Sequence, residues 1–215
     1  NHLNECNRAI DYDSTNNRET DQMRLLPLDW NKLPPEQQAV LEAIEAGPRG
    51  TSRTGIGKIG PFGAWVRAPS IGLEAQALGA TIRYNTSLDE RVKEVAICTV
   101  GIFYRSKFEY SAHRSLAIKA GVSAAALDQL AANEEPDFTG PELISHTIAS
   151  QMLNQHRILD ETYRTGVEAF GEDGMVELVT TVGYYCLISL TLNSFEIPLE
   201  ANMVDPFPDA TTIDT

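Results

Sequence analysis

Residues 87–121 read SLDERVKEVAICTVGIFYRSKFEYSAHRSLAIKAG, and the pattern of this stretch predicts two consecutive helices. Ser87 and Glu90 are three residues apart, which is the spacing of a capping box at the start of a helix. An apolar run follows them to about Tyr104 and contains no proline. The pattern therefore predicts a helix that begins at Ser87 and ends near Tyr104.

A second helix is predicted from about Lys107 to Ala120, because apolar residues recur there with the helical period. Gly121 follows it, where a left-handed helix end favours glycine. Glu109 and His113 are four residues apart and share one face of this helix. The rest of that face consists of Ala112, Leu116, Ala117 and Ala120. A carboxylate and an imidazole are therefore expected to point into the protein.

Glu94 on the preceding helix is the expected partner of this pair, because it shares a face with Ile97 and Cys98. A buried charge without a partner is costly, so the two carboxylates and the imidazole are expected to meet. Neighbouring carboxylates raise the pKa of one of them towards the range that is useful for proton transfer. A hydrogen-bonded core network would bring the same residue types together, and both interpretations stay open at this point.

Helical patterns dominate the rest of the chain, and no stretch shows the alternation of a strand. Further helices are predicted near 35–46, 123–133, 141–154, 156–170 and 174–195, with Gly171 at the end of one of them. The fold class is therefore all-α, a single-domain helical bundle. Residues 26–199 are expected to form this domain, between a polar N-terminal arm at 1–25 and a C-terminal tail at 200–215.

The segment at 47–65, GPRGTSRTGIGKIGPFGAW, is rich in glycine and basic residues. A phosphate-binding loop needs a glycine five positions before Gly57 and a serine or threonine after Lys58. Ser52 and Ile59 occupy these positions, so the register fails. The segment is instead predicted to be a mobile loop beside a pocket.

Composition excludes several classes of partner. Seventeen Lys and Arg against thirty Asp and Glu give a formal net charge of −13, which repels nucleic acid and anionic membranes. No window approaches the roughly 18 consecutive apolar residues of a membrane span. The three cysteines, Cys6, Cys98 and Cys186, lack CxxC or metal-ligand spacing, and no HExxH pair occurs, so no bound metal is expected. A reducing, cytoplasmic location fits best.

Four segments in order resemble the carboxymuconolactone decarboxylase family, within the broader superfamily of the alkylhydroperoxidase D proteins. They are GPFGAWVRAP (60–69), QALGATIRYNTSLDERVKEVAI (76–97), FEYSAHRSLAIKAGVS (108–123) and FGEDGMVELVTTVGYY (170–185). The resemblance extends over residues 26–199 and implies α-helical subunits that form homotrimers or homohexamers and act without a cofactor. It also implies substrates that are small carboxylated lactones from the breakdown of aromatic rings.

The peroxidase branch of this superfamily carries two cysteines in CxxC spacing between a glutamate and a histidine. Counted from Glu94 to His113, the two cysteine positions hold Ser106 and Glu109. Peroxide reduction at this motif therefore lacks its thiolate and its resolving partner. The resemblance points instead to the decarboxylase branch, where a Glu-Trp-x-x-His motif is frequent and where this chain has Tyr110 in place of the tryptophan.

Roles follow for the central residues. His113 is expected to be the general acid/base, Glu109 its orienting or proton-sharing partner, and Glu94 a relay carboxylate. The candidates for substrate binding are Arg105 as an anchor for a carboxylate, Trp65 as an apolar wall, Tyr104 and Tyr110 as hydrogen-bond donors, and His156 as a group from the second half of the chain.

The predicted function is that of a cofactor-independent lyase or isomerase, which moves a proton on a small carboxylated lactone or enolisable acid. Two other functions stay open. A non-catalytic helical oligomer would keep the Glu/His pair as a structural network and would fill the pocket with side chains. Peroxide reduction would have to use Cys98 or Cys186.

Overall fold

The computed structural model describes residues 23–207, and the regular elements in this range are all helical. The predicted all-α class is confirmed. Most of the predicted N-terminal arm, with Cys6, and residues 208–215 of the predicted tail lie outside the described residues.

Residues 23–84 contain four helices and one short 3₁₀ turn. They are α1 (Pro35–Ala46), α2 (Pro48–Ser52), the 3₁₀ turn (Ile56–Lys58), α3 (Phe62–Val66) and α4 (Pro69–Tyr84). The bounds of α1 match the predicted helix at 35–46. The other helices of this segment have no counterpart in the sequence prediction.

The glycine-rich segment at 47–65 folds into short helices where a loop was predicted. Gly55 and Gly60 adopt φ values of 78° and 56°, which favour glycine. The Glu45 carboxylate accepts hydrogen bonds from the N–H groups of Gly55 and Gly57 at 3.1 Å and 2.8 Å. These bonds tie the backbone of the segment to α1.

Helix α4 was not predicted from the sequence, because glycines interrupt the apolar pattern of its buried face. Gly72 and Gly79 are both buried there. A Cβ added at Gly79 would lie 2.0 Å from the Tyr184 hydroxyl oxygen. The glycine therefore allows close packing between α4 and the last helix, which a longer side chain would prevent.

Helix α5 (Glu90–Phe103) begins later than predicted. Its N-cap is Asp89, whose side chain accepts a hydrogen bond from the N–H of Arg91 at 2.9 Å. The predicted capping box at Ser87 is wrong, because Ser87 has another partner. Its N–H and its hydroxyl donate to the Glu177 carboxylate at 2.9 Å and 2.8 Å, which ties the α4–α5 connection to the last helix.

The remaining helices are α6 (Lys107–Ala120), α7 (Ala124–Ala131), α8 (Gly140–Gln155) and α9 (Asp160–Ser194). Gly121 ends α6 with a φ of 105°, as the sequence indicated, and Ser123 caps α7 by accepting from the N–H of Ala126. Gly171 has a φ of 71° and interrupts α9 at the predicted position.

Helix α5 lies at the centre of the fold and packs against α6, α8 and α9. Val95, Ala96 and Val100 on α5 are fully buried. Gly101 gives α6 room to approach, because a Cβ there would lie 3.2 Å from the backbone nitrogen of Tyr110. Residues of α5 and α6 therefore lie close enough for their polar side chains to meet.

Helix α9 is, within residues 23–207, the one helix long and apolar enough to meet the length and composition criteria of a membrane span. Half of its most apolar window is buried against the other helices, as in the core helix of a helical bundle. No charged residue occurs from 178 to 195. The exposed half of this stretch therefore forms an uncharged surface.

Shortening a side chain on α8 should destabilise the protein by an amount that depends on how deeply that side chain is buried. Ile148 is fully buried among α5, α8 and α9, so Ile148→Ala should lower the free energy of unfolding by about 2–5 kcal/mol. Leu143 on the same helix is 40% exposed, and Leu143→Ala should cost clearly less. Urea denaturation of both variants measures the difference, and equal costs would contradict this packing.

Candidate functional site

His113 lies between two carboxylates from two different helices. Its Nδ1 atom is 2.6 Å from Oε2 of Glu94 on α5, and its Nε2 atom is 3.0 Å from Oε1 of Glu109 on α6. All three residues are buried. The predicted meeting of these side chains is therefore found in the structure, while their chemical roles remain predictions.

His113 makes a hydrogen bond with one of the two carboxylates and only an ion-pair contact with the other. The contact with Glu94 is a short hydrogen bond. The Oε1 atom of Glu109 is within ion-pair distance of Nε2, but it lies off the N–H axis and makes no hydrogen bond with the described residues. The Nε2 side of the imidazole is thus the less tightly held one.

Electrostatics keep His113 protonated at neutral pH. Burial lowers the pKa of the imidazole, but the negative charges of Glu94 and Glu109 outweigh burial and raise this pKa to about 9. Burial likewise raises the pKa of Glu94, but His113 and then Arg83 outweigh it, and the net pKa is lowered. His113 is therefore an imidazolium between two carboxylate side chains, able to donate a proton from Nε2.

Arg83 is a fourth member of the cluster that the sequence analysis missed. Its Nη1 atom lies 3.5 Å from Oε1 of Glu94, and its side chain is largely buried. Burial lowers the pKa of Arg83, but Tyr185 and Glu94 outweigh burial and keep it fully charged. Two cations thus face two carboxylates. Arg83 belongs to α4, so only a prediction of that helix could have pointed to it.

Tyr185 on α9 closes the cluster on another side. Its ring packs edge-on against the His113 imidazole, with 5.0 Å between the ring centroids. Burial raises the pKa of the Tyr185 phenol well above its ordinary value, so the group stays protonated. Nothing in the sequence pattern distinguishes Tyr185 from other apolar residues of α9.

The cluster forms part of the wall of a cavity of about 930 Å³. Residues from α2, α4, α6 and α9 line it, together with the described part of the C-terminal tail. The polar lining includes Arg49, Arg53, Arg83, Glu109, His113, Tyr184, Tyr185 and Glu200. The glycine-rich segment also lines this cavity, in agreement with its predicted place beside a pocket.

Four of the predicted substrate-binding residues, Trp65 among them, lie outside the cavity lining. Arg105 occupies the α5–α6 turn with a φ of 49°, and its guanidinium stacks on Phe207 at 4.5 Å. Tyr104 packs against Phe103, with ring centroids 5.1 Å apart. His156 ends α8 in the left-handed conformation and is exposed. The turn geometry and the helix end direct these side chains elsewhere.

Two other predicted residues contribute indirectly. Trp65 is buried and packs edge-on against Phe62 and Tyr184, which line the cavity, so it stands behind the wall. Tyr110 touches the cavity, but its hydroxyl donates to the carbonyl oxygen of Leu127 at 2.6 Å. That hydrogen bond tethers α7 to α6, so the predicted donation to a substrate is not available to this hydroxyl.

Neither described cysteine has the features of a reactive thiol. Cys98 is fully buried, and burial raises the pKa of its thiol well above the ordinary value. Burial also raises the pKa of Cys186, which is half-buried. Across residues 23–207, no cluster of three or more His, Cys, Asp or Glu side chains is arranged to hold a metal ion.

Comparison with known proteins supports the fold. No protein-family model matches the chain. No curated protein matches it significantly. Among solved structures, it is similar to a protein of unknown function from Agrobacterium tumefaciens that is proposed to be the antioxidant defence protein AhpD. The two chains are 15% identical, and the match covers 63% of this chain and 95% of the other with a TM-score of 0.56. The chain thus has an all-α fold of the AhpD-like type.

The cluster makes a prediction for the titration of His113. Its imidazole should remain protonated up to pH about 9, because Glu94 and Glu109 stabilise the cation. In Glu94→Gln this pKa should fall towards the ordinary 6.5. Histidine-resolved NMR spectra measure both values, with His113→Gln to assign the signals. Burial lowers the pKa of His146, which therefore serves as an internal control.

The sign of the linked stability follows from this shift. The folded-state pKa lies above the ordinary value, so His113 contributes its full stabilisation below pH 6.5. That contribution is lost as the pH rises through about 9. A His113 that titrates below 6.5 in the folded protein would contradict the ion-pair description.

Proposed function

We propose that the protein is a cofactor-independent lyase or isomerase that moves a proton on a small carboxylated lactone or another enolisable acid. One observation carries this proposal. A buried imidazolium, held between Glu94 and Glu109, lies in the wall of an open cavity of about 930 Å³. A cavity of this size accommodates a small organic acid.

Decarboxylation is the reaction that fits this arrangement best. When a β,γ-unsaturated lactone acid loses carbon dioxide, the electron pair of the broken C–C bond enters the conjugated lactone as a dienolate. The site must stabilise this negative charge and then supply one proton. His113 is protonated at neutral pH and donates from Nε2, while Arg83 and the imidazolium itself provide positive charge beside the dienolate.

The carboxylates have separate tasks in this mechanism. Glu94 holds the Nδ1 proton of His113 and thereby fixes the orientation of the ring. Glu109 lines the cavity, and its Oε1 atom is buried beside Nε2 of His113 without a hydrogen-bond partner in the described chain. It is the group that can accept a proton from a substrate, which an isomerisation requires in addition to donation.

The two other functions considered from the sequence have less support. A purely structural network predicts a pocket filled by side chains, whereas a large cavity lies beside this one. Thiol-dependent peroxide reduction needs a thiolate, and burial disfavours one at both Cys98 and Cys186.

The decisive test is turnover of 4-carboxymuconolactone, followed by carbon dioxide release or by loss of absorbance. The wild type should consume it, and His113→Ala and Glu109→Gln should each lower kcat by about 10²–10⁴-fold, the usual contribution of a general acid or base. His156→Ala is the matched control, because this histidine is exposed and outside the cavity. Its activity should equal that of the wild type.

Circular dichroism and melting temperatures show whether each variant is folded. Turnover that survives His113→Ala in a folded protein would contradict the assigned role. A wild type that turns over neither this lactone nor related enolisable acids would exclude the proposed reaction class.

We also propose that the protein assembles as a homotrimer or homohexamer through the exposed side of α9. Val176, Val179, Leu187 and Leu190 lie along this side and are 39–68% exposed. Gly183 lies among them, and a Cβ there would meet no other atom within 4 Å. An uncharged stripe on a chain of net charge −13 lets copies approach without bringing carboxylates together.

Light scattering should therefore give a mass of three or six chains. Leu187→Lys places a charge in the stripe and should shift the protein towards the monomer. Ala169→Lys adds the same charge at an exposed position before the break in α9 and should leave the mass unchanged. A monomeric wild type at micromolar concentration would refute the proposed assembly.

A further inference from the structure

Arg49 is a buried cation in the cavity that lacks an anionic partner. Arg49 is 8% exposed, and it lines the cavity. No carboxylate among the described residues lies within ion-pair distance of its guanidinium. The other arginines of the lining are paired, Arg53 with Glu200, Arg83 with Glu94 and Arg114 with Asp128. Lys119 is exposed to solvent. Among the described residues of the lining, Arg49 is therefore the buried cation whose charge no carboxylate neutralises.

The guanidinium of Arg49 is held in place by groups that carry no charge. Its Nη1 atom donates to the carbonyl oxygen of Gln76 at 3.0 Å, and its carbon atom lies 5.2 Å from the centre of the Phe62 ring. A Cβ added at Gly79 would lie 2.7 Å from Nη2. Glycine at this position thus makes room for the arginine. Its position is fixed before any ligand arrives, as expected of an anion anchor.

A chain of contacts connects Arg49 to the proton-transfer cluster. Its Nη2 and the Tyr184 hydroxyl converge on Gly79. The Tyr184 and Tyr185 rings are 5.4 Å apart, and the Tyr185 ring is 5.0 Å from His113. The hydroxyl of Tyr184 donates to the carbonyl oxygen of Ala75 at 3.0 Å, so its proton is already used. Of these two side chains, Arg49 is therefore the one that can donate a hydrogen bond to a ligand in the cavity.

Arg49 is unsuited to hold a carboxylate that leaves as carbon dioxide. A charge-assisted hydrogen bond to that group would stabilise the ground state and vanish as the neutral product forms, which slows the reaction. The same bond to a carboxylate that the substrate keeps would persist through the reaction and only position the ligand. A fixed guanidinium at a distance from His113 suits the second case.

We infer that Arg49 binds the carboxylate that the substrate retains, so that the ligand of this cavity is a small acid with two carboxylates. The retained carboxylate lies at Arg49, and the carbon that loses carbon dioxide and then takes up a proton lies near Nε2 of His113, at the end of the cavity where Glu109 and His113 meet. The inference rests on the proposed function for the distinction between the two groups, but anion binding at Arg49 is measurable without turnover.

The test uses glutarate, an unreactive diacid, and isothermal titration calorimetry. Arg49→Met keeps the apolar length of the side chain and removes the charge, and it should weaken glutarate binding by about 10- to 100-fold, as expected for a hydrogen bond to a charged group. Arg49→Lys keeps the charge but loses the planar fork, so it should bind with intermediate affinity. Arg53→Met is the matched control. Glu200 already neutralises Arg53, so glutarate affinity should change less than about twofold.

With the lactone as substrate, Arg49→Met should raise KM by a similar factor and leave kcat nearly unchanged, since the lost interaction is equal in the ground and transition states. Equal glutarate affinity in wild type and Arg49→Met would overturn the inference, as would undetectable glutarate binding by the wild type. Arg49-dependent glutarate binding without lactone turnover would leave this site standing and reject the proposed reaction. Lactone turnover with an unchanged KM in Arg49→Met would support the proposed reaction and reject the carboxylate site at Arg49.

Discussion

The ion pairs of His113 with Glu94 and Glu109 are the constraint on which the site depends. Two carboxylates buried at this depth are tolerated only because two cations, the imidazolium and Arg83, lie beside them. Loss of the imidazolium proton would leave a net negative charge in the interior, which is why the pKa of His113 rises to about 9. Helices α4, α5 and α6 must all be in place for this balance to exist.

The same balance determines which chemistry the site favours. An imidazolium at neutral pH is an acid, and its looser contact at Nε2 is on the side of Glu109, which faces the cavity. By the resemblance predicted from the sequence, Glu109 takes a position where the peroxidase branch has a cysteine. A carboxylate there cannot act as a redox thiol, but it can exchange protons with its neighbour. Proton transfer is therefore the reaction class that we propose for this site.

Fold similarity alone does not lead to this conclusion. The likeness to the Agrobacterium tumefaciens protein, at 15% identity, concerns the arrangement of helices. The functional argument comes from this chain's own side chains: a cationic cavity wall in an acidic protein, a proton donor held between two carboxylates, and a buried arginine without an anionic partner. These features favour a small anionic ligand.

The sequence by itself determined the all-α class, the bounds of α1 and α6, the break at Gly171 and the shared face of Glu109 and His113. These features are local, because helical periodicity and glycine at helix ends act within a few residues. The other contacts of the site depend on how the helices pack. Ser87 binds Glu177 and does not cap α5, and Arg105 stacks on Phe207. Arg83 and Arg49 reach the cavity from α4 and α2, two helices that the sequence pattern did not reveal because glycines interrupt it. Such contacts join residues far apart in the chain, and only the packing of the helices brings them together.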